Sequence, residues 1–405
     1  MPEKNADERF EAIIIGAGPA GLATSRELKV RGVEHVVLER GDSVAHSWAN
    51  SYDSLTLHTG KHMSGLPGMR LLRSAPLFVS RAEFVRYLSD YAKRFELPVR
   101  TGWNVRRVER LTGGEDRWLV RAATPNGDAT ISCRDLIVAT GIMANPRKPD
   151  IAGGDAFTRA GGQLIHSVDY RRPDEYVDNR ILVVGVGNSG GEIASELARA
   201  ANHNGKKPRV TIAVRSGANV VPREILGLPI QYLAFYIRKL PRVAREAVVR
   251  LVGKIVEKRR GPPVLPRPAY GPLDAIPLIG FNLVDAIRDG LIEVRGGVER
   301  LTARGAAFAD GKTPAEVSFD VVILATGFAP ALAPLGQLIR VDAKGFALRH
   351  DRVTSADHEG LYFVGHNYDA TGGLFNIARD APMVGQRVAA RIRSPFPITE
   401  HSQIP

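Results

Sequence analysis

The sequence is nearly free of cysteine, since Cys133 is the only one among 405 residues. A single thiol cannot form an internal disulfide, which fits a reducing compartment, and it excludes a CxxC redox centre. Runs of about 18 or more uncharged apolar residues are also missing, and the first residues, MPEKNADERFE, are too polar for a signal peptide. We therefore expect a cytosolic protein whose redox chemistry, if present, passes electrons to something other than its own dithiol.

Acidic residues are fewer than basic ones, 43 against 55, which gives a net charge of +12. A basic balance can indicate nucleic acid or an anionic membrane as a partner. A protein that holds several phosphate groups is basic for a simpler reason, and we therefore expect neither nucleic acid nor membrane contact. With 44% hydrophobic residues the chain can bury a large core, and its length favours two or three domains.

The segment FEAIIIGAGPAGLATSRELKVRGVEHVVLER has the pattern of a dinucleotide-binding unit. A buried strand over 12–15 leads into a Gly-x-Gly-x-x-Gly turn at 16–21, a helix follows, and a second strand over 36–38 ends at Glu39. The three glycines make the tight turn, admit a pyrophosphate and let the helix lie close on the sheet, while Glu39 can accept a hydrogen bond from a ribose hydroxyl. The predicted nucleotide contacts are Gly16, Gly18, Pro19, Ala20, Gly21, Glu39 and Arg40.

A second unit of the same form begins at RILVVGVGNSGGEIASELARA. The strand that follows its helix, VTIAVRS, is predicted to end at Arg215, where the first unit ends at Glu39. A carboxylate at that position favours a free ribose hydroxyl, whereas an arginine favours a 2′-phosphate. We therefore expect flavin adenine dinucleotide (FAD) in the first unit and NADPH in the second, with a solvated surface role as the alternative for Arg215. The predicted NADPH contacts are Gly185, Gly187, Asn188, Ser189, Gly190 and Arg215.

Two further buried strands, in DLIVATGIMANP and VVILATGFAP, end in Ala-Thr-Gly, where small residues let the chain pass close to a nucleotide or a domain crossing. The layout is that of a two-dinucleotide flavoprotein with one nucleotide domain inserted in the other. Near the C-terminus a strand over 361–364 precedes a glycine-bearing loop and a helix that begins near 373–376, which either stabilises charge on a reduced flavin or only closes the sheet. The predicted cofactor contacts here are Gly141, Gly327, Gly365, Gly373 and Leu374.

These segments together resemble one family. The motifs GAGPAG, SWANSYDSLTLHTGKHMSGLPG, GGQLIHSVDY, GVGNSGGE, VRSGANVVPRE and ATGF resemble the class B flavin-containing monooxygenases, and in particular the YUCCA type, which oxidatively decarboxylates indole-3-pyruvate. The similarity extends from about residue 10 to residue 392. It is fairly specific for the superfamily and much less specific for the substrate.

The identifying element of that family is Phe-x-Gly-x-x-x-His-x-x-x-Tyr or Phe, just ahead of the NADPH strand. Gly162, His166 and Tyr170 occupy its glycine, histidine and aromatic positions, whereas Ala160 stands where the family has phenylalanine. The stretch GGQLIHSVDYRRP is rich in glycine and proline for a regular helix or strand, and we interpret it as the hinge between the two domains. Baeyer-Villiger monooxygenases carry a related element and further insertions, and they are a weaker match.

The resemblance implies that NADPH reduces the flavin, that oxygen adds to give a C4a-hydroperoxyflavin, and that one oxygen atom passes to a small organic substrate at nitrogen, sulfur or a carbonyl. The protein excludes water and keeps NADP⁺ over the flavin. Trp48 and His58 are expected to contact the cofactor, and Asn50, Thr59 and His166 are the implied catalytic residues. Loop capping or core packing is the alternative for Asn50 and Thr59, as is a satisfied structural histidine for His166. No metal site is implied.

Residues 226–260 differ in character, because apolar residues recur at helical spacing with Arg and Lys between them. The pattern predicts a basic amphipathic pair of helices separated at Pro241. Such helices can cover a substrate channel, pair with a second subunit or lie on an anionic membrane, although packing on their own domain is the commonest outcome. Similar helices in YUCCA-type chains favour a role at the substrate site.

We therefore predict an α/β fold with two Rossmann-like dinucleotide-binding domains, an FAD domain over 1–160 and 320–405 and an inserted NADPH domain over 161–319. The predicted function is that of an FAD-containing, NADPH-dependent monooxygenase that uses O₂ and a small-molecule substrate, with a homodimer as one assembly. Two alternatives stay open: a flavin reductase or NADPH oxidase with another acceptor, and a flavin-binding regulatory protein without turnover. The second glycine turn argues against the last, because a protein without turnover has no need of a second nucleotide.

Overall fold

The computed structural model describes residues 8–112, 116–203, 210–271 and 273–393, so the predicted ends of the first domain, 1–7 and 394–405, lie outside the described residues. The chain forms two α/β units, each built on a largely parallel sheet. In chain order the strands are β1 (Glu8–Ile15), β2 (His35–Leu38), β3 (Val99–Arg100), β4 (Asn104–Arg110), β5 (Trp118–Thr124), β6 (Gly127–Val138), β7 (Asn145–Pro146), β8 (Gln163–His166), β9 (Ile181–Val184), β10 (Val210–Ala213), β11 (Val220–Val221), β12 (Glu224–Ile225), β13 (Leu228–Pro229), β14 (Leu278–Ile279), β15 (Ile292–Arg295), β16 (Val298–Thr302), β17 (Gly305–Phe308), β18 (Glu316–Ser318), β19 (Val321–Leu324), β20 (Phe328–Ala329) and β21 (Leu361–Phe363).

The longer helices lie against the sheets, and their ends follow the sequence. Pro19 begins the first helix, where its fixed φ suits the first turn. Ser80 and Glu83 form a capping box at the start of the third, each side chain bonding the backbone N–H of the other. In chain order the α-helices of the described ranges are α1 (Pro19–Lys29), α2 (His46–Ala49), α3 (Arg81–Arg94), α4 (Gly154–Arg159), α5 (Asn188–His203), α6 (Ile230–Ile237), α7 (Arg242–Arg260), α8 (Asn282–Arg288) and α9 (Gly373–Arg393), with 3₁₀ turns at Lys61–Met63, Pro173–Tyr176 and Ala333–Leu338.

The first sheet has the order β3-β2-β1-β6-β5-β4, and β21 also pairs with β6. Strand β6 is long enough to serve two neighbours: its first half is antiparallel to β5, and its second half lies between β1 and β21, parallel to both. Helices α1, α3 and α9 share the apolar cluster on one face, with Leu22, Leu88 and Val384 fully buried. Because both faces are covered, the central strands are apolar without alternation, as the sequence predicted for 12–15.

The second sheet has the order β15-β10-β9-β19-β8, with all its strands parallel. Because β19 pairs with β8 and β9, residues 321–324 belong to this sheet, and the predicted domain boundary at 320 stays a prediction. Strand β8 corrects a prediction, since residues 163–166 form an edge strand of this sheet and are not an irregular hinge. A glycine- and proline-rich flank does not prevent a short strand when a neighbouring strand supplies the hydrogen bonds.

The link between the two units is a pair of segments that run side by side. Strands β7 and β20 pair antiparallel, β7 four residues after the first Ala-Thr-Gly triplet and β20 directly after the second. Arg147 N donates to the carbonyl oxygen of Gly327 at 3.0 Å, and the hydroxyl of Thr326 donates to the carbonyl oxygen of Arg147 at 2.5 Å. Both crossings therefore leave from the central strands β6 and β19 as one two-stranded ribbon, which takes the place of the predicted hinge.

The predicted basic helix pair forms as α6 and α7, with Pro241 at the start of α7. Helix α6 packs against the first turn of α9 through Phe235 and Phe375, whose ring centroids lie 5.5 Å apart. No residue of α7 is buried. Within the described ranges, no helix combines the length and the apolar character needed to cross a bilayer.

Candidate active site

The first glycine turn joins β1 to α1 with almost no room for side chains. Gly16 has a φ of +105°, and a Cβ there would lie 2.6 Å from the carbonyl oxygen of Ala139. A Cβ on Gly21 would lie 1.8 Å from the carbonyl oxygen of Gly16, so the helix approaches the strand only because residue 21 has no side chain. Gly18 differs, because no described atom lies within 4 Å of its Cβ position. Two glycines thus shape the turn and the third leaves space at the helix N-terminus, which suits a pyrophosphate.

Glu39 holds this turn in place. Its side chain is buried at the end of β2, 7% exposed, and its carboxylate accepts backbone N–H bonds from Ala17 at 2.7 Å and Gly41 at 2.9 Å. Each carboxylate oxygen keeps a second lone pair, so the predicted bond from a ribose hydroxyl is compatible with these contacts. Arg40, predicted as a further contact, is exposed.

The second glycine turn repeats the first. Gly185 has a φ of +110°, and its Cβ position lies 2.5 Å from the carbonyl oxygen of Ala325, while that of Gly190 lies 2.1 Å from the carbonyl oxygen of Gly185. The Cβ position of Gly187 faces open space among the described atoms. The chain therefore contains two turns of the same shape, each able to receive a pyrophosphate.

Asn188, predicted to contact NADPH, also has a structural task. Its Nδ2 donates to the carbonyl oxygen of Pro277 at 3.3 Å, and its Oδ1 accepts the N–H of Ile279 at 2.8 Å. Asn188 thus fastens the 277–279 segment beside the turn. The neighbouring Ser189 lies close to the hydroxyl of Tyr52, from the other unit.

Corresponding hydrogen bonds within each of the two units show which residues are equivalent. Gly16 N donates to the carbonyl oxygen of Leu38 at 2.7 Å, and Gly185 N donates to that of Ala213 at 3.1 Å. The strand registers agree, because Ile15 pairs with Leu38 as Val184 does with Ala213. Leu38 and Ala213 therefore occupy the same position in the two units.

This equivalence corrects the match between Arg215 and Glu39. Glu39 follows Leu38 directly and corresponds to Val214, while Arg215 corresponds to Arg40. Strand β10 ends at Ala213, two residues before Arg215. Arg215 is exposed, so its guanidinium is accessible to the phosphate group of a bound nucleotide. Its predicted role as a 2′-phosphate contact stays a prediction.

His166, a predicted catalytic residue, is buried with both ring nitrogens engaged. Nδ1 accepts the N–H of Val168 at 3.1 Å, so Nε2 carries the proton and donates to the carbonyl oxygen of Gly327 at 3.2 Å. Burial lowers the pKa of His166, which agrees with a neutral ring. The ring fastens β8 to the Ala-Thr-Gly segment, and this geometry supports the structural alternative over the catalytic role.

The other two predicted catalytic residues have local partners. Asn50 is exposed at the end of α2, where its Nδ2 donates to the carbonyl oxygen of His46 at 2.9 Å. Thr59 is buried, and its hydroxyl shares a hydrogen bond of 2.7 Å with that of Ser64. The methyl of Thr59 lies against the loop before α9, since a Cβ on Gly372 would lie 2.3 Å from it. Thr59 is thus placed beside the helix N-terminus expected near the flavin, whereas Asn50 caps a surface helix.

Three of the remaining predicted contacts, Gly365, Gly373 and Leu374, lie where β21 leads into α9. A Cβ on Gly365 would lie 3.1 Å from the Cβ of Ala20, so the end of β21 lies against the start of α1. Leu374 is buried in the first turn of α9, beside Gly373. Trp48 packs edge-on against Phe84 at 4.8 Å, which is the core-packing alternative for this residue. Gly141 and Gly327, the last residues of the two Ala-Thr-Gly triplets, have φ of +80° and +83°. No described atom lies within 4 Å of either Cβ position.

A polar contact between the units was missed from the sequence. Glu192, on the first turns of α5, accepts a hydrogen bond from the hydroxyl of Tyr52, and its other oxygen lies 3.6 Å from Nε2 of His58. Burial lowers the pKa of His58, although the Glu192 carboxylate opposes the shift. One turn later Glu196 accepts a hydrogen bond from Tyr170 at 3.1 Å. The two glutamates four residues apart lie on one helix face, and that spacing was the available signal.

Arg223 makes a second link between the units. Its Nη2 donates to the hydroxyl of Thr56 at 2.7 Å and to the carbonyl oxygen of Leu57 at 2.9 Å. Its guanidinium lies 4.0 Å above the ring of Phe78, within cation–π range. The 52–58 segment of the first unit is therefore held from both sides, by a carboxylate and by a guanidinium of the second unit.

Buried polar atoms without a partner indicate where a polar group fits. In the part of the chain that the structure describes, these include both ring nitrogens of His366, Nδ1 of His58 and Oε1 of Gln231. Burial, with Arg349 nearby, lowers the pKa of His366 to about 3, so the neutral ring offers one donor and one acceptor. Such atoms are costly to leave unpaired, and together with the open glycine turns they fit a large polar cofactor. His366 directly follows Gly365, yet no motif in the sequence selects it.

Comparison with known proteins gives a family. The model described as pyridine nucleotide-disulphide oxidoreductase matches residues 13–219. The chain is 35% identical over 341 residues to the indole-3-pyruvate monooxygenase YUCCA1 of Oryza sativa subsp. japonica, which covers 81% of this chain and 80% of the relative. It is 36% identical over 324 residues to the probable indole-3-pyruvate monooxygenase YUCCA1 of Arabidopsis thaliana, covering 78% of this chain and 75% of the relative.

Solved structures share the fold at lower identity. The flavin-containing monooxygenase from Stenotrophomonas maltophilia aligns with a TM-score of 0.70 at 23% identity, over 95% of this chain and 99% of that one. The closed form of a cyclohexanone monooxygenase aligns with a TM-score of 0.72 at 18% identity, over 95% and 85%. The predicted α/β fold with two Rossmann-like domains is confirmed, as is the family resemblance. The chain belongs to the pyridine nucleotide-disulphide oxidoreductase family and, within it, to the class B flavin-containing monooxygenases, which use FAD and NADPH.

Proposed function

We propose that this monooxygenase oxidatively decarboxylates an aromatic 2-oxo acid of the indole-3-pyruvate type. Support for the substrate class comes from the relatives named above, which align over about four fifths of the chain, 81% and 78%. Support for chemistry between two bound nucleotides comes from one observation, the half-buried contact of Tyr52, His58 and Glu192, which joins two units that each leave space at a glycine turn. Oxygenation at nitrogen or sulfur of another small substrate is the alternative.

The proposed division of labour follows the two turns. We assign 1–160 and 325–405 to FAD and 161–324 to NADPH, which moves the predicted boundary to the end of β19. The residues that would hold FAD are Gly16, Gly18, Glu39 and His366, and those that would hold NADPH are Gly185, Gly187 and Arg215. Bound FAD supplies two-electron and oxygen chemistry, with NADPH as the source of hydride.

The side chains between the units position the reacting partners and exclude water. Tyr52 donates to Glu192, and this bond holds the 52–58 segment against α5 so that the two turns keep a fixed separation. Leu57 and Thr59, on either side of His58, are buried and restrict the entry of water. Because burial lowers the pKa of His58, its ring brings a hydrogen-bonding atom, Nδ1, without bringing a positive charge.

The proposed reaction balances without a further reactant. One NADPH, one proton and one O₂ are consumed for each 2-oxo acid, and the bond between its carbonyl and carboxylate carbons breaks. The products are the carboxylic acid shorter by one carbon, CO₂, NADP⁺ and water. One oxygen atom of O₂ enters the acid and the other leaves as water.

The reductase alternative lacks a thiol partner in this chain. Cys133 is buried in β6, and burial raises the pKa of its thiol well above the usual range, so a reactive thiolate is disfavoured. The lone cysteine also supports a reducing compartment, the cytosol, as the proposed location.

The test is a stoichiometric one. Indole-3-pyruvate, phenylpyruvate, a tertiary amine and a thioether are each supplied with NADPH while oxygen uptake, hydrogen peroxide and product are measured. We expect product acid and CO₂ to match the NADPH consumed with the 2-oxo acids, with little peroxide. Peroxide equal to NADPH with every substrate would favour the oxidase and contradict the proposal, and failure to consume NADPH would favour the protein without turnover.

The role given to Glu192 has its own test. Glu192→Gln keeps the shape of the side chain but removes the negative charge of the carboxylate that accepts from Tyr52 and faces His58. We therefore expect FAD to stay bound while the share of NADPH lost as peroxide rises several-fold. Glu299→Gln, an exposed glutamate of the same unit, is the matched control and should leave that share unchanged. Loss of FAD from Glu192→Gln, or no change in the peroxide share, would contradict a positioning role.

A further inference from the structure

Exposed apolar side chains are concentrated in one short segment. Seven of the fourteen large hydrophobic residues that are exposed in the described ranges lie between 226 and 255. Contiguous exposed apolar surface marks an interaction site in a protein that is otherwise polar outside. These seven are Leu226, Leu228, Tyr236, Leu240, Val243, Leu251 and Ile255.

The same segment carries most of the excess positive charge. Residues 226–260 contain nine Lys and Arg against two Glu, so they supply seven of the twelve excess charges of the whole chain. Both glutamates already lie within 3.0 Å of arginine guanidinium groups. More than half of the net positive charge of the chain therefore lies in this segment, where Arg242 and Arg260 are also paired with Asp274 and Asp285.

On α7 the apolar and basic residues form two adjacent stripes. Residues four apart lie on one helix face, and each stripe repeats at that interval on the exposed side. Val243 is 80% exposed and Leu251 is 59% exposed, so both remain largely in solvent. The apolar stripe is Val243, Ala247, Leu251 and Ile255, and the basic stripe is Arg250, Lys254 and Lys258.

We propose that this face of α7 docks on an anionic lipid membrane. Apolar side chains beside a row of cations match the interface of such a membrane, where headgroup charge and acyl chains lie within a few ångströms of one another. A second copy of the chain fits less well, because a two-fold contact would bring two rows of cations together. Nucleic acid would pair with the cations but would leave the apolar stripe in water.

The proposal departs from our expectation that the chain has no membrane contact. In the structure no residue of α7 is buried, and its apolar and basic stripes both lie on the exposed side of the helix. The contact is one of a surface helix lying on the lipid, not of a spanning helix.

Docking here would bring the membrane next to the active site. Helix α6 touches the first turn of α9 through Phe235 and Phe375, and the ring of Pro229 lies 2.5 Å from the Cβ position of Gly60. An apolar substrate dissolved in the membrane could then enter beside α6. This last step rests on the proposed function, whereas membrane binding itself does not.

Vesicle binding of the FAD-loaded full chain tests the proposal. Flotation with vesicles of phosphatidylcholine alone is compared with flotation on an equimolar mixture of phosphatidylcholine and phosphatidylglycerol. We expect binding to the anionic vesicles only, weakened by high salt because the cations are screened. Each cation near such a surface is worth about fivefold in affinity.

Variants of the two stripes separate charge from apolar contact. R250Q/K254Q/K258Q should lower the affinity for anionic vesicles on the order of a hundredfold, as three such factors predict. L251S/I255S should weaken binding as well, which a purely electrostatic contact would not show. K93Q/R106Q/R304Q removes three exposed cations elsewhere and should bind as the unaltered chain does. Flavin absorbance and circular dichroism show that each variant is folded.

Several outcomes would overturn the proposal. These are equal binding by the stripe variants and the control variant, no binding to anionic vesicles, or binding of a DNA duplex that is unaffected by L251S/I255S. A dimer in solution that L251S/I255S dissociates would also overturn it in favour of a contact between copies. A stoichiometric assay without vesicles is unaffected by any of these results, so failure of this proposal and failure of the proposed function are distinguishable.

Discussion

The two nucleotide units use one strand order but complete it from different places in the chain. The parallel strands follow the order β3-β2-β1-β6-β21 in the first unit and β15-β10-β9-β19-β8 in the second. In the first unit the fifth strand, β21, comes last in the chain, whereas in the second unit the fifth strand, β8, comes first. An inserted domain must begin and end near one point of its host, and an edge strand that comes first meets this condition. The stretch that carries His166 therefore precedes the second glycine turn because it is the closing strand of that unit.

Equivalent positions in the two units carry different side chains. Glu39 corresponds to Val214, and Asp135 corresponds to Val321, since Ala12 pairs with Asp135 as Ile181 does with Val321. The first unit thus buries two carboxylates where the second has valine. The backbone of the turn is common to both, and the buried polar positions distinguish one unit from the other.

The largest expected effect is the loss of one nucleotide at a time, from the first unit in one variant and from the second unit in the other. In Gly21→Ala the new methyl would lie 1.8 Å from a backbone oxygen, and in Gly190→Ala 2.1 Å, so the helix must move away from its strand in either case. We expect Gly21→Ala to be isolated without FAD. Gly190→Ala should keep FAD and its yellow colour but lose reduction by NADPH, which rapid-mixing absorbance measures.

The middle glycines provide the control for that comparison. Gly18→Ala and Gly187→Ala meet no described atom of the protein, so both variants should fold and melt as the unaltered apoprotein does while each binds its nucleotide less tightly. If Gly190→Ala lost FAD as readily as Gly21→Ala, the two turns would not serve separate nucleotides.

The buried carboxylate of β6 predicts a pH effect that has no counterpart at the equivalent position of the second unit, Val321. Burial raises the pKa of Asp135 to about 6, although Arg391, with its Nε 3.0 Å away, opposes the shift. The pKa of this group is near 3.8 in the unfolded chain and near 6 in the folded one, so between these pH values the native state holds one proton more. The protonated group therefore stabilises the fold at low pH, and this contribution is lost as the pH rises from about 3.8 to about 6. Two pKa units correspond to about 3 kcal/mol.

Asp135→Asn removes this titration. Relative to the unaltered chain, the variant should gain on the order of 3 kcal/mol in unfolding free energy between about pH 4 and about pH 7. Urea unfolding at both pH values, followed by tryptophan fluorescence, measures the difference. Asp128→Asn, an exposed residue of the same strand, is the control. A difference between the two variants that does not change with pH would contradict the assignment.

Arg215→Ala tests the nucleotide choice of the second unit. A charge-assisted hydrogen bond to phosphate is worth about 2 kcal/mol, so KM for NADPH should rise about thirtyfold while KM for NADH changes little. Arg40→Ala, at the equivalent position of the first unit, should leave KM for both nucleotides unchanged. Steady-state kinetics with each nucleotide provides the comparison, and equal rises for NADPH and NADH in Arg215→Ala would exclude a 2′-phosphate contact.

The sequence was most informative where local chemistry decides the structure. Both glycine turns, the strand and helix that flank each, and the helix beginning at Gly373 follow from spacing alone, because steric constraints at these positions are local. The partner of Glu192 could not be found in this way, since Tyr52 is 140 residues distant and only packing of the units brings the two together. The edge strand at 163–166 was missed for the same reason, because its hydrogen-bond partner comes 158 residues later, at 321–324.

The smallest expected effect decides between two alignments of the units. If Val214 is the true equivalent of Glu39, then V214E in the R215A background places a carboxylate where it can accept from the ribose hydroxyl of NADH, a net gain of about 1 kcal/mol or about fivefold in KM. R215E should give no such gain, because its carboxylate would correspond to exposed Arg40 and not to buried Glu39. V214Q in the same background controls for shape without charge. A gain for R215E that V214E lacks would restore the original match of Arg215 with Glu39 and contradict the strand register. KM for NADH in these three variants therefore measures which residue of the second unit occupies the position that hydrogen-bonds the ribose.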